Sequence, residues 1–232
     1  MKLAIGIATY KRPYKLLRLL QSLEKQTFKN FDIMIVFDNN DFGSQQILTQ
    51  IPIPIFRLVV NSSQKFVIGC WNLFHKDMIG NYNAHLTLCD DVALYDDCLQ
   101  RVVDCLYTNF SDTDGVVGIT QVYPRPNIKF QPTGQVLMGR KFVERFSSVD
   151  YQVCCPAYSQ WQQDSELLKY TSQLGKFVLC EQARLTHYHP VYYRKELDDT
   201  HRIVRGAVYR KDKEIYNGRN NRGLVWGNSW EL

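Results

Sequence analysis

The sequence predicts an α/β fold in which a mainly parallel β-sheet is covered on both faces by helices. Apolar runs of strand length alternate along the chain with amphipathic segments of helix length, and such alternation is typical of parallel sheets. The strand-like runs are apolar throughout, as expected for strands buried on both faces. The 232 residues, 45% of them hydrophobic, are enough for one large domain with a well-buried core.

The first half of the chain supplies four of the predicted strands. The run LAIGIAT (3–9) predicts the first strand, and Pro13 suits the first position of a helix whose apolar stripe is formed by four leucines, Leu16, Leu17, Leu20 and Leu23. The elements that follow are strands at 31–37, 55–60 and 84–89 and helices at 44–51 and 70–79. Each of these helices precedes a strand, which favours parallel pairing.

The second half is less regular. An amphipathic helix is predicted over 96–110, with Asp96 and Asp97 at its start, and a strand over 115–120. Prolines and Gly134 interrupt the pattern over 121–156, which predicts loops or a small antiparallel piece. A helix opened by Asp164 and a strand over 176–182 complete the regular part.

The segment from about Pro190 onwards is basic and aromatic, and we expect it to be an extension whose outer end is disordered unless a ligand binds. Residues 194–232 hold 9 Lys and Arg against 6 Asp and Glu, so they carry +3 of the net charge of +5. Such a bias suits a phosphate-bearing ligand, either a nucleotide or a polymer, although a solvated basic face remains an alternative.

Several classes of protein are excluded or disfavoured. Every apolar stretch is much shorter than the about 20 residues needed to span a membrane. The apolar segment at the N-terminus is too short for a signal peptide. The seven cysteines are an odd number without a C-x-x-C motif, which favours buried thiols over a disulfide framework or structural zinc. We therefore expect a cytoplasmic protein.

Polar residues follow three of the predicted strands, where open parallel sheets bind ligands. Thr9, Tyr10 and Arg12 follow the first strand, Asp38 follows the second, and the pair Asp90–Asp91 follows the fourth. The G-x-G-x-x-G and P-loop phosphate motifs are absent from the first turn, which disfavours a dinucleotide enzyme or a P-loop NTPase. The aspartate pair suits Mg²⁺ or Mn²⁺, or else caps a turn.

An ordered set of motifs resembles glycosyltransferase family two, the inverting group with a GT-A fold. The stretch IGIATYKRPYKLLRLLQSLEKQTFKNFDIMIVFDNND is similar to the opening of that family. Later matches are Gly69 with Asn72, LTLCDDV for the D-x-D strand, WQQDSELL for a helix start, and GKFVLCEQARLTHYH for a late strand ending in histidine. The matching motifs span about residues 3 to 190 and occur in the same order as in the family.

The resemblance implies a GT-A domain over 1–190, with a nucleotide-binding half (1–92), an acceptor half (93–190) and a basic extension (191–232). It implies that the donor is bound by Thr9, Tyr10, Arg12, Asp38, Gly69, Asn72 and Asp90. It implies that Asp91 and His187 bind Mn²⁺ or Mg²⁺, with His189 as the rival ligand. Cys89 stands where many members have the first Asp of the motif, which leaves fewer carboxylates for the metal.

On the acceptor side, the resemblance makes Asp164 the candidate catalytic base, with Glu166 orienting the acceptor or donor sugar. Direct displacement at an anomeric carbon needs such a carboxylate to take the proton of the attacking hydroxyl. Trp161 is a candidate face for sugar stacking, with ordinary packing as the alternative. A cap at the start of the helix is the alternative role for Asp164, and we expect structural roles for His75, His85 and His201.

The expected function is a metal-dependent inverting transfer of a sugar from a nucleotide-diphosphate donor, with a UDP-sugar as first choice, to a hydroxyl of a saccharide. The alternative acceptor is a hydroxymethylated base of DNA, whose phosphates would contact the tail residues Arg202, Arg205, Arg210, Lys211, Arg219 and Arg222. A nucleotidyltransferase and a non-catalytic nucleotide-sugar binding module remain as other classes.

Overall fold

The computed structural model describes residues 1–124, 132–193 and 198–232, and the side chains of 191, 192 and 199 are outside that description. The described residues form one sheet of eight strands, ordered β3-β2-β1-β4-β7-β6-β8-β5. The strands are β1 (Leu3–Thr9), β2 (Phe31–Phe37), β3 (Arg57–Val60), β4 (Ala84–Cys89), β5 (Val92–Leu94), β6 (Val116–Val122), β7 (Val136–Gly139) and β8 (Phe177–His187).

The helices are α1 (Pro13–Glu24), α2 (Phe66–Met78), α3 (Cys98–Asn109), α4 (Arg140–Glu144), α5 (Gln163–Gln173), α6 (Pro190–Tyr193), α7 (Asp199–Ile203) and α8 (Tyr209–Asn221). Two 3₁₀ helices cover Gly43–Gln50 and Ser147–Val149. A π-helical segment, Val204–Val208, joins α7 to α8 and is kinked at Gly206. In the described residues, no helix combines the length and apolarity needed to cross a membrane.

The α/β class is confirmed, and the sheet is mixed. Strands β3, β2, β1 and β4 are parallel neighbours, and β6 is parallel to β8. Strand β7 runs antiparallel between β4 and β6. It arises from the region predicted to hold a small antiparallel piece, of which residues 125–131 lie outside the described part. The short strand β5 pairs antiparallel with β8 at the sheet's end.

The sheet buries different residues on its two faces because successive strand side chains point in opposite directions. Leu3, Ile5 and Ile7 of β1 belong to the core cluster that contains the apolar stripe of α1. Ala4 of β1 belongs to a different buried cluster, which also contains side chains of α2. Of the predicted stripe, Leu16, Leu20 and Leu23 are fully buried, whereas Leu19 takes the place predicted for Leu17.

The C-terminal part is helical and packed against the domain, contrary to the expected disordered outer end. The Asp212 carboxylate is fully buried and accepts hydrogen bonds from the backbone N–H groups of residues 159–161, at 2.8 to 3.2 Å. Arg219 is 1% exposed and pairs with Glu166 on α5. These two polar contacts fix α8 to the rest of the fold.

Candidate functional site

A continuous cleft opens at the carboxyl ends of β1, β2 and β4. It consists of a β1 cavity of 50 Å³ beside Thr9, Tyr10 and Asp38, a central cavity of 140 Å³ beside Asp91, and an outer cavity of 500 Å³ beside Tyr123. The β1 and central cavities share Arg12, Cys89, Gln160 and Val204. The central and outer cavities share Trp161, Asp164, His187 and His189.

Asp90 and Asp91 occupy the two-residue link between β4 and β5. These strands are not neighbours in the sheet, so the chain leaves the centre of the sheet for its end at the aspartate pair. Asp90 accepts hydrogen bonds from Thr9 Oγ1 and Arg12 Nη1, each at 2.9 Å. Burial raises the pKa of Asp90, against the lowering effect of Arg12. The structure therefore brings Thr9, Arg12 and Asp90 together, and their binding of a donor stays a prediction.

Asp91 faces His187, which ends β8. The His187 Nε2 atom lies 3.2 Å from Asp91 Oδ1, and His187 Nδ1 lies 2.8 Å from Gln121 Oε1. Burial alone would raise the pKa of Asp91, but His187 and Arg12 outweigh it and hold the pKa of this carboxyl well below its ordinary value. The carboxylate is thus kept ionised in a buried site.

The pair Asp91–His187 fits a divalent cation. Adjacent ligands of an octahedral ion with bonds of about 2.1 Å are about 3 Å apart, close to the 3.2 Å between these two atoms. The contact of Nδ1 with Gln121 would hold the imidazole in place with Nε2 directed at such an ion. In the described part of the chain, no three His, Cys, Asp or Glu side chains are grouped to hold an ion.

The rival histidine, His189, lines the central and outer cavities. Its ring centroid lies 5.6 Å from that of His187 and 4.5 Å from that of His201. Burial lowers the pKa of His189 to about 3, so its imidazole is neutral at ordinary pH. His187 is the histidine in direct contact with Asp91, and the choice between the two as a ligand stays a prediction.

Asp164 lies in the first turn of α5, on the wall that the central and outer cavities share. The helix begins at Gln163, so Asp164 is not the residue that precedes it, as the cap alternative required. Its Oδ1 accepts from the N–H of Ser165 at 2.8 Å. Burial raises the pKa of Asp164, which is the change expected of a carboxylate that acts as a base in a closed site.

Trp161 lies beside Asp164 on the same wall. Its Nε1 donates to the Val204 carbonyl at 3.0 Å, and its ring meets that of Tyr209 edge-on, with centroids 5.5 Å apart. Both rings line the outer cavity. The pair offers aromatic surface to a ring-shaped ligand in that cavity.

Three predicted donor-binding residues have structural roles at α2. Asp38 lines the β1 cavity, but its carboxylate accepts the N–H groups of Lys65 and Phe66 at 2.8 to 3.0 Å and so caps α2. The amide of Asn72 bridges the backbone N–H and C=O of Cys154 at 2.9 and 2.8 Å. Gly69 lies inside α2, where an added Cβ would stand 2.8 Å from Lys65 Cβ.

Glu166 is the clearest difference from the predicted site. Its Oε1 accepts from Arg219 Nε at 3.1 Å, from Arg219 Nη2 at 2.9 Å and from the N–H of Trp226 at 2.9 Å. The side chain is buried against the C-terminal part and does not belong to the walls of the three cavities. The contacts of Glu166 therefore contradict a direct role in orienting a sugar.

Sequence reasoning did not identify which residues of the C-terminal segment line the cleft. Thr200 lines the β1 cavity, His201 the central cavity, Val204 both, and Arg205 and Tyr209 the outer cavity. Of these, only Arg205 was flagged, through its charge. The sequence around His201 gave no indication of a site, because Asp91, which His201 approaches in the fold, is distant in sequence.

The family model for glycosyl transferase family 2 matches residues 4–213. The chain belongs to that family. The match includes α7 and the first residues of α8, beyond the motifs that carried the resemblance. A comparison with curated proteins finds no significant match.

Solved structures of glycosyltransferases show the same GT-A fold. TarS of S. aureus, solved with UDP-GlcNAc, has a TM-score of 0.62 at 13% identity, over 87% of this chain and 60% of that one. The mannosyltransferase PcManGT of Pyrobaculum calidifontis, solved with GDP-Man and Mn²⁺, gives 0.63 at 12%, over 80% and 56%. GalNAc-T7, solved with UDP, GalNAc and Mn²⁺, gives 0.63 at 12%, over 81% and 44%. The chain thus spans about half the length of these proteins.

Proposed function

We propose that this chain is a metal-dependent inverting glycosyltransferase that moves a sugar from a nucleotide-diphosphate donor to an acceptor hydroxyl. The single observation that carries the proposal is the central cavity, whose wall contains both the Asp91–His187 pair and Asp164. Displacement at an anomeric carbon needs a cation at the departing diphosphate and a base at the incoming hydroxyl. The cavity offers one group for each task.

The donor would extend from the β1 cavity into the central cavity. Thr9, Tyr10 and Asp38 surround the nucleoside end, and Arg12 lies where the two cavities join. A guanidinium at that place suits the diphosphate. A UDP-sugar remains the first choice, and the ligands of the similar structures, UDP-GlcNAc and GDP-Man, are of the same chemical class.

The residues act on the two sides of the anomeric carbon. Asp91 and His187 would hold Mn²⁺ or Mg²⁺, which when bound offsets the negative charge of the diphosphate. Asp164 takes the proton of the acceptor hydroxyl as the new C–O bond forms and the bond from carbon to diphosphate breaks. Trp161 and Tyr209 hold the acceptor ring against this side of the cleft.

A thermal-shift panel of UDP-, GDP- and dTDP-sugars with and without Mn²⁺ tests the donor, because a ligand that binds the native state raises its stability. We expect one nucleotide class to stabilise the protein only with the metal. Transfer is then measured with simple glycosides. Release of pyrophosphate from a triphosphate would indicate a nucleotidyltransferase instead. Donor binding without transfer to any acceptor would indicate a binding module.

A saccharide is the acceptor proposed first, and one observation favours a second candidate. Arg205 lines the outer cavity, and Arg210 and Lys211 are exposed on α8 nearby. These cations suit the phosphates of a polymer such as DNA with hydroxymethylated bases. Acceptor binding would then fall steeply with salt, whereas a neutral saccharide would show little dependence. The predicted cytoplasmic location stays a prediction.

A further inference from the structure

The segment Asp198–Val204 packs against the loop that follows β1. Thr200 Oγ1 donates to the carbonyl of Tyr10 at 2.8 Å. Thr200 and Val204 line the β1 cavity, and His201 and Val204 line the central cavity. This short stretch therefore forms one wall of the space assigned to the donor.

His201 lies between two carboxylates. Its Nδ1 is 2.7 Å from Asp198 Oδ1 and 2.8 Å from Arg12 Nη2, while its Nε2 is 3.8 Å from Asp91 Oδ2. The side chain is 4% exposed. Because the Nδ1–H donates to Asp198, Nε2 is the nitrogen presented to Asp91 and to Arg12 Nη2, which lies 3.3 Å from it. An imidazole fixed at one nitrogen by a carboxylate is oriented for contact at the other.

Asp198 is the residue that holds this arrangement together. Its carboxylate pairs with Arg12 Nε at 3.2 Å and with Lys15 Nζ at 2.5 Å, and it accepts from the backbone N–H of His201 at 2.9 Å. Asp198 does not line the β1 cavity or the central cavity, and it contacts Arg12 and His201, which line the central cavity. It therefore leaves free the space that a diphosphate would occupy.

We infer that His201 binds the diphosphate end of the donor beside Asp91, and that Asp198 is a positioning residue that holds His201 and Arg12 for this contact. The inference rests on the proposed nucleotide-sugar donor and adds a second phosphate-binding group to it. Arg12 lies where the two cavities join and contacts His201 on the wall of the central cavity, so the two side chains face the same part of the cleft.

Isothermal titration with inorganic pyrophosphate in the presence of Mn²⁺ tests the inference directly, because this probe carries no nucleoside. His201→Ala and Asp198→Asn should each weaken binding about 10- to 100-fold, the effect of one hydrogen bond to a charged group. Asp198→Glu keeps the carboxylate and should restore part of the affinity. Ile203→Ala, in the same turn but 42% exposed, is the matched control and should bind as the wild type does.

Thermal unfolding without ligand separates a binding role from a structural one. Variants that lose melting temperature yet bind pyrophosphate normally when folded would overturn the inference. Tighter binding by Asp198→Asn would also overturn it, because Asp198 would then compete with the diphosphate for Arg12 and Lys15. If His201→Ala does not fold, His201→Asn takes its place.

The same experiments distinguish failure of this inference from failure of the proposed function. A wild type that binds UDP-sugars with Mn²⁺, together with variants of unchanged pyrophosphate affinity, would refute only the role of His201 and Asp198. A wild type that binds neither nucleotide nor pyrophosphate would refute both proposals.

Discussion

Replacing Glu166 with Gln tests whether this residue is structural. The substitution keeps the shape of the side chain but removes the negative charge that faces Arg219, which is 1% exposed. One oxygen of Glu166 accepts three hydrogen bonds at 2.9 to 3.1 Å. Breaking a buried pair by removing one partner costs about 3–5 kcal/mol, and at about 2–4 °C per kcal/mol for a protein of this size the melting temperature should fall by about 6–20 °C.

The assay is thermal or urea unfolding of the two variants Glu166→Gln and Glu144→Gln. Glu144 pairs with Arg140 at 2.7 Å on the surface, with both side chains more than 40% exposed, so its loss should cost less than about 1 kcal/mol. The double variant Glu166→Met with Arg219→Met should recover most of the stability, because no unpaired charge stays buried. A stable Glu166→Gln with a raised KM for the acceptor would refute the structural role and support the predicted one.

Three further outcomes are expected. Asp164→Asn should lower kcat by about 10²- to 10⁴-fold while donor affinity is kept, and equal loss of donor affinity would contradict its role as the base. Asp91→Asn should abolish the stabilisation by Mn²⁺ with nucleotide in a thermal-shift assay, and a retained shift would place the metal elsewhere. His75 and His85 are buried in contact, and burial lowers both pKa values, that of His85 to about 3. In the unfolded chain these histidines take up protons below about pH 6.5, whereas in the folded protein they do not. The free energy of unfolding should therefore fall as the pH drops from 6.5 towards 3, by about 2 kcal/mol per histidine at pH 5. The double variant His75→Phe with His85→Phe should show a flatter pH dependence in urea unfolding.

The sequence was most informative where burial and structure are encoded locally. The first four strands were found close to their observed bounds because each is a short apolar run between polar turns. The start of α2 was predicted too late, because Asp38, distant in sequence, caps the helix at Lys65 and Phe66. Strand β7 was not predicted as such, since its four residues owe their conformation to pairing with β4 and β6.

In the candidate site too, some residues could be recognised from the local sequence and others could not. Asp90 and Asp91 stood out because two carboxylates end an apolar run, and the structure places them in the cleft. Asn72 matched a motif, yet its amide is used by the backbone of Cys154. His201 carried no local signal, because its position depends on contacts with Asp91 and Arg12 that form only in the folded chain.

The burial of Asp212 beneath residues 159–161 links α8 to the wall of the outer cavity. The loop it secures carries Trp161, whose ring faces the outer cavity. A substitution of Asp212 would therefore shift Trp161, although Asp212 itself lines none of the three cavities. Changes at this one buried carboxylate could therefore reshape the outer cavity while Asp90 and Asp91 stay in place.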